Sequence, residues 1–320
     1  MHDAASGSDD PSEHDDLTAL AAALAEVGRR VRDAVRAVAP VGDHAVVRTE
    51  GGDDVFGVDA RAEEALIAGL AGLGDRWPGR AVVEGHDDPL PVGDPAGPWV
   101  YLVDPVDGTR PYLVGKRSAW VLLGAGREAA TLEDLEVGAM VEIATPRAAV
   151  GLVAHAVRGG AVHAEDDDLV GGAPPHPVVL TPRPSAGLDR TFVTVVRFAP
   201  GDHASIGAWA DRHLAGLEVY DDLAPCSAAY FAGLASGADA AVFDPRPLLA
   251  PGGTCAHPYD LAGLVVARAA GAIIEALPPG PLAVPVDTST PVAWAGYANE
   301  AIAARLRPTE PFGAPSPADQ

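Results

Sequence analysis

The chain has 320 residues, 48% of them hydrophobic, enough for one large domain or two ordinary ones with a substantial core. Asp and Glu number 45 against 22 Lys and Arg, a formal charge of −23, which repels phosphate backbones and anionic lipid and so excludes a basic nucleic-acid face. Two cysteines, Cys226 and Cys255, make no disulfide framework and suit a reducing, cytoplasmic setting. The opening segment MHDAASGSDDPSEHDD has no basic n-region and no apolar h-region, so no signal peptide is expected. No charge-free apolar run is long enough to span a membrane. Lys116 is the single lysine, and with Ala, Gly and Pro abundant the composition reads as a GC-rich genome or a salt-adapted surface.

Residues 1–16 are polar and acidic and read as a disordered tail. Helical spacing of apolar residues predicts an amphipathic helix over 17–38. A short extended segment is expected at Val46–Val47, then a turn, then a second helix over 59–73 with Asp59 near its start. Ala81–Val83 and Trp99–Val103 read as short buried strands, each running into an acid, Glu84 and Asp104. Further strands are expected at Trp120–Gly124, Val137–Ile143 and Ala148–Ala154. The Gly-, Pro- and acid-rich stretch 155–190 is a candidate boundary between halves. The second half alternates: strand 191–196, helix 204–215, strand 217–220, helix 226–236, strand 240–243, an irregular loop 245–256, helix 261–271 and strand 272–276. Residues 308–320 read as a loose Pro-rich tail. The division expected is thus a tail (1–16), an N-terminal α+β half (17–155), a C-terminal α/β half (156–307) and a second tail.

The densest chemistry lies in WVYLVDPVDGTR, residues 99–110. Asp104 and Asp107, three residues apart where the chain leaves a strand, can face one point. Pro105 stiffens the backbone there and Gly108 permits a close approach. Two carboxylates with the carbonyl of Val106 form the oxygen-rich set that hard divalent cations prefer, and the free N–H groups after Asp107 can meet a phosphate. An Asp-Gly pair by itself is ordinary turn punctuation. Glu84 alone reads equally as a solvated strand end, and Asp59 and Asp260 as helix caps. His257 reads as a loop residue, and nothing marks Cys255 as a nucleophile.

Taken together, four segments resemble the inositol monophosphatase family. Asp104-Pro105-Val106-Asp107-Gly108-Thr109 at the end of an apolar strand is similar to its D-P-x-D-G-T signature. His257-Pro258-Tyr259-Asp260-Leu261-Ala262-Gly263 is similar to its W-D-x-A-[AG] signature, with Tyr259 in place of tryptophan. Val83-Glu84 resembles its G-E-E, with Gly85 in place of the second glutamate, and Val58-Asp59-x-x-Ala62-Glu63 resembles its T-D-x-x-x-E helix start. Together they cover roughly residues 17–305.

The resemblance implies a layered αβαβα fold, two sheets sandwiched by helix layers, and an Mg²⁺-dependent phosphatase acting on a small phosphomonoester with two or three ions. It implies Glu84, Asp104, Asp107, the Val106 carbonyl and Asp260 as metal ligands. Thr109 and Glu84 would activate the attacking water, with Asp59 orienting the Thr109 hydroxyl. The N–H groups of Gly108 and Thr109, with Asp107 and Asp260, would hold the phosphate end of the substrate, and Asp244 would contact substrate hydroxyls. The segment APCSAA (224–229) resembles the family's G-[ST]-A-A out of register, so Ser227 receives no role. Inositol phosphate and sugar phosphate are the leading substrates. The same chemistry on a nucleotide 3′-phosphate, fructose 1,6-bisphosphate, histidinol phosphate or a specialised biosynthetic intermediate is the alternative, and a catalytically silent binding protein is the reading from another class. The family implies a homodimer, and the charge and hydropathy imply a chain that binds neither nucleic acid nor membrane.

Overall fold

A computed structural model describes residues 11–38, 46–50, 53–198, 203–224, 226–309 and 312. In chain order, α1 (Pro11–Val38) leads through the ribbon β1 (Val46–Glu50) and β2 (Asp53–Phe56) to α2 (Gly57–Ala71). Then follow β3 (Gly79–Val83), β4 (Leu90–Val92), β5 (Trp99–Asp107), α3 (Thr109–Leu113) and β6 (Ala119–Arg127). β7 (Val137–Ile143), β8 (Val150–Val157), β9 (Val162–Asp168) and β10 (His176–Pro177) complete a first sheet. The second half holds β11 (Phe192–Val195), α4 (Ala204–His213), α5 (Ser227–Ser236), β12 (Asp239–Asp244) and α6 (Arg246–Leu249). A 3₁₀ turn (Pro258–Leu261), α7 (Leu264–Ala270), β13 (Ile273–Ala276), β14 (Trp294–Tyr297) and α8 (Glu300–Leu306) end it.

The first sheet has eight strands in the order β10-β9-β8-β7-β6-β5-β3-β4, and the second has four, β11-β12-β14-β13. α1 and α2 cover one face of the large sheet. α5 and α7 fill the space between the two sheets, and α8 packs on β12 and β14. Trp209 and His213 of α4 lie against Phe243 of β12, and His213 reaches the Leu306 carbonyl of α8 at 2.8 Å, so α4 and α8 share the outer layer. This is the helix–sheet–helix–sheet–helix layering expected.

The cause is legible in β5, buried at every position because it is covered on both faces. Trp99, Tyr101 and Val103 pack in the core under α1 and α2, while Val100 and Leu102 pack in the core shared with α5, α7 and the small sheet. Period-two alternation therefore sends Asp104 toward the inter-sheet layer.

Several expectations shift. Helix α1 starts at Pro11, inside the segment read as a disordered tail. Its acids find basic partners elsewhere: Asp16 accepts from Arg76 at 2.9 Å and from the Trp77 indole at 3.1 Å, and Glu13 accepts from Arg127 at 3.1 Å. Residues 1–10 and 313–320 lie outside the described residues. The boundary expected at 155/156 falls within the β8–β9 pairing, and the change of sheet comes between Pro177 and Phe192. The strand expected at 217–220 is reduced to one bridge, Tyr220 to Phe192. The loop 245–256 begins with α6. The helix expected at 261–271 is a 3₁₀ turn followed by α7. β14 and α8 were not expected; Asn299, whose side chain accepts from the Ile302 N–H at 2.9 Å, is the cap signal that marks α8. No described helix is long and apolar enough to cross a membrane.

Candidate active site

β3 and β5 run parallel with Val83 opposite Val103, so both strands deliver their terminal acids to the same edge. The Glu84 N–H donates to the Val103 carbonyl at 3.1 Å and fixes this alignment. β5 does not end at Asp104 as the turn reading required. It bulges between Asp104 and Asp107 against β6 and continues. The bulge lets Asp104 and Asp107 share a face that flat pleating would deny to residues three apart. Asp104 Oδ1 accepts from the Val106 N–H at 3.0 Å, closing the bulge locally.

Gly108 follows at φ 91, in the left-handed region. A Cβ there would lie 3.3 Å from Cys226 Cβ and 3.4 Å from its Sγ, so glycine is needed for backbone and for space. The chain then enters α3 at Thr109. Its hydroxyl has two acceptors in reach, the Val106 carbonyl at 2.8 Å and Asp59 Oδ1 at 3.4 Å. The Asp59–Thr109 contact expected is present, but the nearer acceptor is the carbonyl.

From the second half, the 3₁₀ turn packs on β5 and brings Asp260 to the same point. Asp260 Oδ2 accepts from the His257 N–H at 2.7 Å, so it does cap its turn while still facing the cluster. Ligand oxygens of Asp104, Asp107 and Asp260 lie within 4.8 Å of one another. Glu84 is not one of this trio, but its carboxyl hydrogen-bonds that of Asp104 and lines the same cleft, which also takes in Val106, Gly108 and Thr109 and has a volume of about 130 Å³.

The electrostatics are severe. Burial, then Glu84, Asp107 and Asp260, push the Asp104 carboxyl well above the usual carboxylate range. Burial, then Asp107 and Glu84, do the same to Asp260. Asp107 is pushed up to about 6 by burial, against the Ala228 N–H and the Cys226 thiol, which favour its charged form. Buried like charges at this spacing are stable only if protonated or neutralised by cations. The donor set is all oxygen, the preference of Mg²⁺ and related hard ions. On that ground the residues fit a divalent metal.

Two features escaped the sequence reading. The segment 224–229 opens α5, and the Ala228 N–H donates to Asp107 Oδ2 at 2.8 Å, so the helix start clamps the central acid. Its signal was the small-residue run after Cys226, set aside because the register was off. The second feature is the partner of Asp244. That residue is 1% exposed, and both its oxygens accept from Arg246, Oδ1 from Nε at 2.8 Å and Oδ2 from Nη2 at 2.6 Å. Arg246, two residues on, lines the cleft. A buried carboxylate with a charged partner so near in sequence is satisfied by that partner.

No protein-family model matches the chain. A 112-residue segment is 34% identical to a probable inositol 1-monophosphatase of Mycobacterium tuberculosis. That match spans 34% of this chain and 38% of the relative. The fold is similar to fructose-1,6-bisphosphatase of Leishmania major, with TM-score 0.68 and 12% identity over 91% of this chain and 93% of that one. It is similar also to an inositol monophosphatase–fructose 1,6-bisphosphatase, with TM-score 0.64 and 14% identity over 89% and 97%. A Pyrococcus horikoshii protein with similarities to inositol-1 monophosphatase aligns with TM-score 0.58 and 19% identity over 87% and 96%. The chain thus shares the fold of these solved structures, and the 112-residue segment is similar to part of a probable inositol 1-monophosphatase, in line with the resemblance drawn from the four motifs.

Proposed function

We propose that the chain is a metal-dependent phosphatase that hydrolyses a small phosphomonoester, an inositol or sugar phosphate, with Mg²⁺ as its ion. The observation that carries this reading is the meeting of Asp104, Asp107 and Asp260, from two halves of the chain, within 4.8 Å beside Glu84 in one cleft. Asp104, Asp107 and Asp260 would hold the ions, with Glu84 and the Val106 carbonyl completing the shell. Bound there, the metal supplies a lowered water pKa and neutralises charge on the phosphate and the leaving oxygen.

The chain's own residues do the rest. Thr109, whose hydroxyl has the Val106 carbonyl and Asp59 as acceptors, would orient the attacking water through its oxygen, and Glu84 would take that water's proton. The left-handed turn at Gly108 aims the start of α3 at the same space, where N–H groups complement an anion. The Ala228 N–H on Asp107 keeps this carboxylate from turning away. A homodimer remains part of the reading through the family resemblance, and a cytoplasmic setting through the two free cysteines.

The purified protein is expected to release phosphate from a small phosphomonoester with Mg²⁺ and to lose the activity in EDTA. Phosphate release that persists unchanged in EDTA, or no divalent binding at millimolar concentration, rejects the metal-dependent reading.

A further inference from the structure

The lining of the cleft includes a buried cation that the acids do not explain. This is Arg246, 8% exposed, with its guanidinium fixed from three directions. Nε and Nη2 hold Asp244, while Nη1 donates to the Phe198 carbonyl at 3.1 Å and the Thr254 carbonyl at 3.3 Å. A guanidinium carries five N–H donors. These four bonds leave one on Nη2 without an acceptor among the described residues. The group also stands close enough to the acidic end for its charge to act on both Asp107 and Asp260.

Two properties define what this donor can recognise. It is pre-organised, because four bonds fix the plane, so little entropy is lost when the fifth forms. Most of its charge is matched by Asp244, so what it chiefly offers a ligand is direction. A second phosphate would need cations that are not already paired. A hydroxyl oxygen needs only a directed donor.

We infer that Arg246 is the specificity-determining residue on the leaving-group side, donating its remaining Nη2 hydrogen to a hydroxyl oxygen of a polyol or sugar monophosphate. The inference rests on the phosphatase reading above. Asp244 then acts through Arg246 as a positioning residue, and the Phe198 and Thr254 carbonyls tie the two loops that flank the cleft to the same guanidinium.

The test compares kcat/KM for the best of inositol 1-phosphate, glucose 6-phosphate and glycerol 2-phosphate with that for p-nitrophenyl phosphate, which has no hydroxyl, and for fructose 1,6-bisphosphate. The wild type is expected to prefer the polyol monophosphate. Arg246→Lys keeps a cation for Asp244 but loses the fork. Its polyol-to-aryl ratio should fall by roughly tenfold, mainly through KM, the usual scale for one lost directed hydrogen bond. The double variant Asp244→Asn with Arg246→Gln removes both charges, so neither is left buried alone. It should show the same fall, with a melting scan confirming the fold. A ratio unchanged within about twofold in the folded variants overturns the inference, as does a wild type that prefers the bisphosphate or the aryl ester. A wild type that cleaves none of these with Mg²⁺ rejects the phosphatase reading itself, a result distinct from any change of ratio.

Discussion

Replacing Asp107 by Asn should make the metal-free protein more stable while removing its response to metal. Burial raises the Asp107 carboxyl from 3.8 to about 6, so at neutral pH the folded, metal-free chain carries a charge that its surroundings disfavour. The folded value lies above the unfolded one. The penalty is therefore absent below about pH 4, grows as pH rises toward 6, and is full above that. At 1.36 kcal/mol per pH unit it amounts to about 3 kcal/mol. Asn has the same shape. Its amide oxygen can keep the Ala228 N–H, and its NH₂ faces the carboxyl oxygens of Asp104 and Asp260 within the 4.8 Å cluster. In EDTA at pH 7.5 the variant should melt a few degrees above wild type, at roughly 2–4 °C per kcal/mol for a domain of somewhat smaller size. Millimolar Mg²⁺ should stabilise the wild type by about 1.4 kcal/mol for each tenfold excess over Kd, read as a rise in Tm, and leave the variant nearly unmoved. Phosphate release by the variant should be at least ~10²-fold slower. A variant that melts below wild type in EDTA, or that gains as much from Mg²⁺, refutes the reasoning that this carboxylate is a strained, cation-dependent group.

Three further expectations follow from individual contacts. Asp239, at the start of β12, is raised to about 6 by burial and then by Asp222, so stability should fall as pH rises from about 4 to 6. Asp239→Asn should flatten that part of a Tm-against-pH curve, and an Asn variant less stable than wild type at pH 8 contradicts this. Asp167 accepts from Arg32 Nη1 at 2.6 Å and from Arg29 Nε at 2.8 Å, joining β9 to α1, and Arg32 is 4% exposed. Asp167→Ala leaves that guanidinium with Asp33 alone, and denaturant unfolding should show a loss of about 3 kcal/mol, the low end for an orphaned buried charge. Gly85 stands at φ 81 with open space where a Cβ would go. Gly85→Glu, which restores the family's second glutamate, should cost about 1 kcal/mol in backbone strain and gain no metal affinity by calorimetry. A tenfold tighter Mg²⁺ site would show that the missing carboxylate, not the turn, matters here.

Period and punctuation made the layers readable in advance. The apolar runs ending in Glu84 and Asp104 announced two buried strands, and the helical spacing over 17–38 announced the helix that covers them. What stayed hidden depends on contacts between segments distant in sequence. Nothing in SEHDD says that Arg76, Trp77 and Arg127 will hold its acids, so the first turns of α1 looked like tail. Nothing in VDPVD distinguishes a turn from a bulge, because the difference lies in how β6 pairs with it.

The pairing of Asp244 with Arg246 has the same origin and a sharper consequence. Reading an acid at the end of a strand as a contact for substrate assumes that the acid reaches the cleft. A side chain as short as aspartate, followed within two residues by an arginine, can satisfy itself inward instead, and the arginine's longer stem then carries the polar end outward. Burying that pair costs desolvation of two charges, which is recovered only if the geometry is good and the remaining donors are satisfied. Four of the five guanidinium donors have acceptors among the described residues, and the residue that carries the fifth lines the cleft. The acid identified in the sequence therefore sets the orientation of the residue that meets the substrate, and a change at Asp244 should alter substrate preference without Asp244 ever touching the substrate.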